Sequence, residues 1–323
     1  MIYDVVVIGA GPAGMAAAVS AYDNGAENVL LIERNSHLGG ILKQCIHDGF
    51  GLVLFEESLT GPEYAARYAD MLRCRKIDIL LNTIVTGLTP ERELQCVTRS
   101  GVLKYRAKSI ILTTGCRERT RGMLELPGTR PAGIYTAGVA QKLINIQNIK
   151  IGKRAVILGS GDVGLIMARR MKLEGMEVLC VLEKLPHVSG LLRNVNQCLN
   201  DFDIPIRLKQ TVVDIKGAKR LEGVVAAQVD DNGVVIDGTE YFIDCDTLLL
   251  SVGLIPENEL AKSCGVRIGA GGGPEVNECF ETNVPGIYSA GNSLHVHDLA
   301  DHASEEGIKV GKFAVENLKS VDL

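Results

Sequence analysis

Residues 4–14 read DVVVIGAGPAG and residues 154–164 read RAVILGSGDVG, and no other feature constrains the chain as much. In each copy a β-branched run, of the kind that forms a strand buried on both faces, leads into Gly-x-Gly-x-x-Gly. Gly9, Gly11 and Gly14 recur as Gly159, Gly161 and Gly164, 150 positions on. Each motif opens an apolar helical stretch, Met15–Tyr22 and Leu165–Leu173. A second strand follows each, Asn28–Ile32 and Glu177–Leu182, and ends in an acid, Glu33 or Glu183. The acid lies 19 residues beyond the last glycine in both copies. The chemistry of a dinucleotide explains this spacing. The first glycine permits a tight turn out of the strand, the second lets a diphosphate approach the backbone, and the third lets helix pack on sheet. The helix N-terminus offers N–H groups and partial positive charge, and the acid accepts hydrogen bonds from a ribose diol. One glycine motif alone is a weak signal. Strand, glycines, helix, strand and acid recurring in order at one spacing make it specific, against a pair of βαβ units with chance glycines.

Composition narrows the class further. Hydrophobic residues at 46% and charged residues at 23% supply a core and exclude a disordered chain. A length of 323 residues predicts two domains. The net charge of −5 argues against nucleic acid, which wants a basic face. There are 36 glycines, above the usual level of about 7%. Nine cysteines, at positions 45, 74, 96, 116, 180, 198, 245, 264 and 279, contain no Cys-x-x-Cys pair. Structural zinc and iron–sulfur clusters need grouped thiolates, so the expectation is reduced thiols, mostly packed as small apolar side chains, in a cytoplasmic protein. The N-terminal run has no basic segment and carries Asp4, which predicts no signal peptide. No apolar stretch approaches about 18 residues, so no membrane span is expected.

The two nucleotide sites differ in detail. Glu33 is followed by Arg34 and, after a short stretch, by Gly39-Gly40, which lets the chain run close to the diphosphate and ribityl arm of FAD. Glu183 at the ribose position repels a 2′-phosphate, and Lys184 is the only basic residue beside it in sequence. That predicts NAD rather than NADP.

With these motifs the chain resembles the flavin-dependent pyridine-nucleotide oxidoreductases over essentially its whole length. It is similar in size to their compact thioredoxin-reductase-like members. The resemblance implies an α/β fold of two Rossmann-like domains, the NAD domain inserted into the FAD domain, each with a short antiparallel β-meander. Ser109–Gly115 and Thr247–Pro256 resemble the strands at the two crossings. The implied boundaries are 1–116 with 247–323 for FAD, and 117–246 for NAD. The runs at 83–88, 94–98 and 102–105 fit one meander. Those at 211–216, 223–230 and 233–237, turning at Asn232-Gly233, fit the other. Thr282–Asn292 resembles the family's second flavin motif, with Asn292 where an acid is usual. An amide can donate to a phosphate or accept from a hydroxyl. A helix within about Ala300–Leu318 is expected to aim its N-terminus at the flavin ring. The FAD contacts implied are Gly9, Gly11, Pro12, Ala13, Gly14, Glu33, Arg34, Gly39, Gly40, Val85, Thr114, Gly115, Gly291, Asn292, His302 and Ala303. Those implied for NAD are Gly159, Ser160, Gly161, Asp162, Val163, Gly164, Glu183 and Gly253.

The disulfide reductases of this family carry paired cysteines in one of two segments. Here Gly39–Gly51 holds Cys45 alone, and Gly133–Gln141 holds none. One thiol cannot cycle with itself, so dithiol chemistry is not expected. These segments, with Asn292–His302 and Glu305-Glu306-Gly307, resemble a narrower subgroup. It contains flavin subunits of amine- and opine-oxidising and cyanide-forming dehydrogenases. It also contains a flavoprotein that accompanies a glycerol-3-phosphate-dehydrogenase-like protein and a small cysteine-rich protein. That resemblance implies hydride transfer between NAD and FAD, with electrons passed to or from a second redox protein. It leaves a homodimer open. Two rivals remain, a stand-alone NADH-dependent reductase of a quinone, oxygen or a thiol, and a nucleotide-sensing module without turnover. Cys45 is either a flavin-proximal thiol or a packed helix residue, and His47 either a proton donor or a polar helix end. His295, His297 and His302 with Asp298 and Asp301 are not assigned a metal, because His-x-His is not a helical ligand spacing. Glu118, Arg119 and Arg121 read as a solvated hinge, with Arg119 the one that reaches a nicotinamide phosphate if any does.

Overall fold

The computed structural model describes residues 2–321. The chain starts with β1 (Ile2–Ile8), α1 (Pro12–Asp23), β2 (Val29–Ile32), α2 (Gly61–Arg73), β3 (Ile77–Leu80), β4 (Ile84–Leu88), β5 (Glu93–Thr98) and β6 (Gly101–Leu112). After the short β7 (Cys116–Glu118) come β8 (Ile134–Thr136), α3 (Ala137–Asn145), β9 (Arg154–Leu158), α4 (Asp162–Leu173), β10 (Glu177–Glu183) and α5 (Leu192–Cys198). They are followed by β11 (Ile206–Leu208), β12 (Gln210–Gly217), β13 (Leu221–Gln228), β14 (Tyr241–Asp244) and β15 (Thr247–Leu250). The chain closes with β16 (Leu254–Pro256), α6 (Glu259–Ser263), β17 (Ile287–Ser289) and α7 (Ala300–Val321). Two compact units result, one from the residues up to Arg117 with those from Ile255 on, the other from Glu118–Leu254. The return crossing comes later than the boundary at 247 that the sequence implied. The reason is that β15 is paired inside the second unit, parallel to both β9 and β8.

In the first unit the strand order is β3-β2-β1-β6-β5-β4, with β17 also on β6. One strand serves two purposes here. The first half of β6 pairs antiparallel with β5 as the meander. Its second half runs parallel between β1 and β17. Val5, Val6 and Val7 are fully buried, as a strand covered on both faces requires. α1 is rich in alanine and buried from Ala13 to Ala21, so it fits between the sheet and α7. The second unit has the parallel order β11-β10-β9-β15-β8 and a separate antiparallel sheet, β12-β13-β14.

That second meander differs from expectation at its third strand. Residues 233–237 form only a single bridge, Val229 to Val235, and the strand that pairs with β13 is β14. The Asn232-Gly233 turn is present, with Gly233 N–H donating to Asp230 O at 3.0 Å. A second turn at Gly238 (φ +82°) then delays the pairing. Val234, Val235 and Ile236 are left exposed, so their β-branched run finds no face to cover.

Candidate functional site

In both units the sheet order reverses beside the strand that carries the glycines, between β1 and β6 and between β9 and β15. Such a switch point leaves a crevice at the carboxyl ends of the strands. Gly9 leaves β1 at φ +102° and Gly159 leaves β9 at φ +96°, a conformation that favours glycine. A Cβ on Gly9 would collide with the Thr113 carbonyl, and one on Gly159 with the Ser251 carbonyl. The last glycines are equally confined: a Cβ would strike Gly9 O at Gly14, and Ser251 Oγ at 2.8 Å at Gly164. The middle glycines are not. Nothing lies within 4 Å of a Cβ built on Gly11, and Gly161 has only Ser251, at 3.8 Å. No side chain caps α1 or α4, so their first-turn N–H groups are left to the space in front of the loops. Open middle glycines and uncapped helix ends fit a diphosphate in both units.

The acids repeat the same wiring. Glu33 is buried; its Oε2 accepts from Ala10 N–H at 2.9 Å and its Oε1 from Asn35 N–H at 2.8 Å. Glu183 is buried too; its Oε2 accepts from Ser160 N–H and its Oε1 from Leu185 N–H, both at 2.9 Å. The Ser160 hydroxyl also donates to Glu183. Each acid thus braces the residue after the first glycine of its loop, and its two oxygens can accept further hydrogen bonds. A second loop crosses each motif, with Gly39 N–H donating to Ala10 O at 2.8 Å and Gly190 N–H to Ser160 O at 2.9 Å. Gly190 is therefore the counterpart of Gly39. Sequence reading missed it because the spacing from the acid differs by one residue. It missed Thr113 and Ser251 as well, although each is the hydroxyl residue just after the strand beside the motif. Thr113 Oγ1 donates to Ile8 O and Gly9 O at 3.0 and 2.9 Å.

The remaining expected residues fall in several places. Pro12 and Ala13 form the first turn of α1, and Asp162 and Val163 that of α4. Asp162 Oδ1 accepts from Leu191 N–H and Asn194 Nδ2. Gly40 approaches the Gly11 Cα, Gly115 (φ +76°) is open, and a Cβ on Gly253 (φ +101°) would meet only Arg119 Nε, at 3.9 Å. Thr114 donates its hydroxyl to Glu257 O at 2.6 Å, which ties down the loop. Thr83 N–H donates to Glu33 O at 3.0 Å, which starts β4 and Val85 beside the acid. Arg34 and His302 are exposed, and Ala303 is buried in α7. Gly291 (φ +69°) comes so close to α1 that its Cβ would lie 2.7 Å from that of Ala13. Asn292 Oδ1 accepts from His297 N–H at 3.0 Å, and its Nδ2 donates to Cys116 Sγ at 3.5 Å.

Cys45 ends a short 3-10 turn, and its carbonyl accepts from Gly61 N–H at the start of α2. The His47 ring packs on Phe50, with Nδ1 3.0 Å from Asp48 O. No disulfide joins any of the nine cysteines, all of which are among the described residues. Burial pushes the Cys96 and Cys198 thiols up to about 11 and Cys245 up to about 12, so these three are packing residues. Arg121 is not part of a solvated hinge. Its guanidinium donates to the carbonyls of Leu126, Pro127, Gly128 and Thr129 and closes that loop. Arg119 N–H donates to Gly253 O at 3.2 Å, and Glu118 accepts from Gly138 N–H at 2.7 Å where α3 starts. His295 and His297 meet Glu306, while Asp298, Asp301 and His302 stay outside that group. Two cavities lie in the second unit. One, of about 700 Å³, is at the ends of β8 and β15, lined by Arg121, Glu125, Arg130, Tyr135, Thr136 and Leu250. The other, of about 290 Å³, joins Lys184 to Lys209, Asp230 and Asp231. Lys184 is thus not the only basic residue near the acid, though Lys209 is paired with Asp231 at 2.6 Å.

The pyridine nucleotide-disulphide oxidoreductase family matches residues 3–307. The chain belongs to this family. Membership carries with it binding of FAD and NAD(P). Among relatives, the NADH oxidase of Methanocaldococcus jannaschii is 25% identical, over 98% of this chain and 70% of its own length. A hydrogen cyanide synthase subunit of Pseudomonas protegens is 27% identical, over 81% of this chain and 59% of its own. An opine oxidase subunit of Agrobacterium tumefaciens is 24% identical, over 99% and 66%. The chain therefore spans about three fifths to seven tenths of these three relatives. The crystal structure of T. acidophilum thioredoxin reductase superposes with TM-score 0.80 at 26% identity, covering 98% of this chain and 99% of that one. No helix among the described residues is long and apolar enough to cross a membrane.

Proposed function

We propose that this member of the family is a flavin-dependent, NAD-linked oxidoreductase that exchanges electrons with a partner subunit. The observation that carries the reading is the duplicated loop, with Gly11 and Gly161 open and Glu33 and Glu183 wired alike. The loop of the first unit, with Gly39, Gly40, Gly291 and Ala13 closing around it, is assigned to FAD. That of the second unit is assigned to NAD(H). When bound, the two cofactors supply a hydride acceptor and an exchangeable hydride carrier. The chain supplies position and field: N–H groups of α1 and α4 for the diphosphates, and buried carboxylates for the riboses. Glu183 favours NAD over NADP, because a 2′-phosphate would be placed against a buried carboxylate already held by Ser160 and Leu185.

A partner is supported by the single Cys45 and the cysteine-free Gly133–Gln141, which leave no dithiol to receive the electrons. Two of the relatives are themselves named as subunits. The partner class proposed is a flavoprotein dehydrogenase, such as a glycerol-3-phosphate-dehydrogenase-like one, with or without a small cysteine-rich protein. The relative named NADH oxidase favours the second reading, a reductase that works alone. Steady-state NADH oxidation decides between them. The partner reading expects slow turnover by the isolated chain with oxygen, quinone or disulfide, and fast turnover with the co-purified dehydrogenase. Fast turnover of a small acceptor by the chain alone overturns it.

A further inference from the structure

Glu306 lies one turn and a half into α7, and its carboxylate is 9% exposed. A buried carboxylate requires a compensating positive charge or a full set of donors. Among the described residues its ion-pair partners are two imidazoles and no lysine or arginine, His297 Nε2 at 3.2 Å and His295 Nε2 at 3.6 Å. The Gly291 N–H donates to it from the backbone. Neither histidine carries a permanent charge. Their rings stand 4.2 Å apart, an arrangement that two imidazolium ions would oppose.

The three side chains offer two nitrogens and one carboxylate oxygen, all within 4.8 Å of one another. Metal bonds of about 2.0–2.1 Å in a tetrahedral shell set ligands about 3.3 Å apart. His297 Nε2 stands 3.2 Å from Glu306 Oε2, close to that edge, and His295 Nε2 stands 3.6 Å from the other oxygen, Oε1. His295 is 57% exposed, so the third corner closes by rotating a surface ring. The His-x-His spacing, unsuitable on a helix, suits the loop before α7, where His297 N–H is fixed by Asn292 Oδ1 at 3.0 Å.

We propose that His295, His297 and Glu306 form a binding site for one divalent first-row transition ion of the zinc type, with three protein ligands and an open position. The ion neutralises Glu306 and pins the 292–297 loop to α7. The three ligands lie outside the residues assigned to FAD, and the site does not depend on which partner the protein uses.

The test is zinc and cobalt binding to the untagged, chelator-dialysed holoprotein. The wild type is expected to take up one equivalent of Zn²⁺. Co²⁺ in its place is expected to give visible d–d bands without the near-ultraviolet band of a cobalt thiolate. His295→Ala, at a surface position, is expected to weaken Zn²⁺ roughly tenfold or more, as loss of a ligand should. His297→Ala is expected to abolish binding, and His187→Ala, outside the group, to leave it unchanged. Less than one equivalent in the wild type overturns the proposal, as does equal binding by His295→Ala or equal loss in His187→Ala.

Discussion

The glycines of one motif do different work, and alanine separates them. At Gly11 the added methyl has no neighbour within 4 Å and φ is an ordinary −75°. Gly11→Ala is expected to leave the unfolding midpoint of the apoprotein unchanged while cutting FAD retention more than tenfold. Gly14→Ala puts its methyl into Gly9 O and, 2.6 Å away, Thr113 Oγ1. It is expected to destabilise the fold by about 1–3 kcal/mol. Urea unfolding of both apoproteins, with flavin content by absorbance, checks the pair. Equal stability loss at the two positions would contradict the account. The three motif glycines and the acids were legible because their spacing repeats within the chain, and the two copies take the same loop geometry. Thr113, Ser251 and Gly190 were not. Their contacts are made by backbone that returns from elsewhere in the chain, and no local period marks such residues. Nor does sequence show that Glu306, nine residues after His297, meets it in space.

At the level of elements, α7 carries Gly307 and Gly311 one turn apart, and both face α1. A Cβ at Gly307 would strike Ala13 O, and one at Gly311 would lie 2.5 Å from Ala17 O and 2.8 Å from the Ser20 Cβ. Ser20 Oγ donates to Ile308 O at 2.6 Å between them. Two helices this close tolerate no added methyl. Gly311→Ala is expected to lower stability by about 1–3 kcal/mol, and flavin content with it, since Gly307 and Gly291 share Ala13. Unchanged melting of that variant would rule the close packing out. Sequence showed that a helix occupies this stretch, but not that its glycines serve a helix contact. The second meander shows the opposite failure. Val234-Val235-Ile236 has the composition of a strand, yet it makes a single bridge before Gly238 turns the chain. Tyr241–Asp244 takes the place beside β13 instead. Propensity marked an extended segment, and pairing chose another.

Across the whole molecule each unit is strapped by one aspartate. Asp4 in the first accepts from Glu27 and Asn28 N–H, and pairs with Lys108. Asp246 in the second accepts from Lys153 and Arg154 N–H. Burial pushes both carboxyls up, but Lys108 and the backbone donors in the first case, and the backbone donors in the second, hold them below the ordinary 3.8. A carboxyl lowered in the folded state adds stability at pH above the unfolded value, and that stability is lost as pH falls through the folded one. The two straps therefore act fully from about pH 5 upward and fail below about pH 4. Asp246→Asn is expected to cost about 1.5–3 kcal/mol at pH 7 and progressively less below pH 4. Urea midpoints across pH 3–7 test this, and a penalty constant down to pH 3 would refute it. The insertion of one unit into the other was legible because the second glycine motif starts midway along the chain. The exact return point was not, because one apolar run, Thr247–Pro256, spans β15 and the crossing that follows it.

The central claim is that the duplicated loops hold a flavin and a nicotinamide coenzyme that exchange a hydride. Anaerobic titration of the purified protein with NADH, followed in the flavin absorbance bands, tests it most directly. The account predicts a yellow protein bleached rapidly by NADH and much more slowly by NADPH, with Gly161→Ala keeping its flavin but losing the rapid phase. A colourless protein, or a flavin that NADH leaves unbleached, would contradict it.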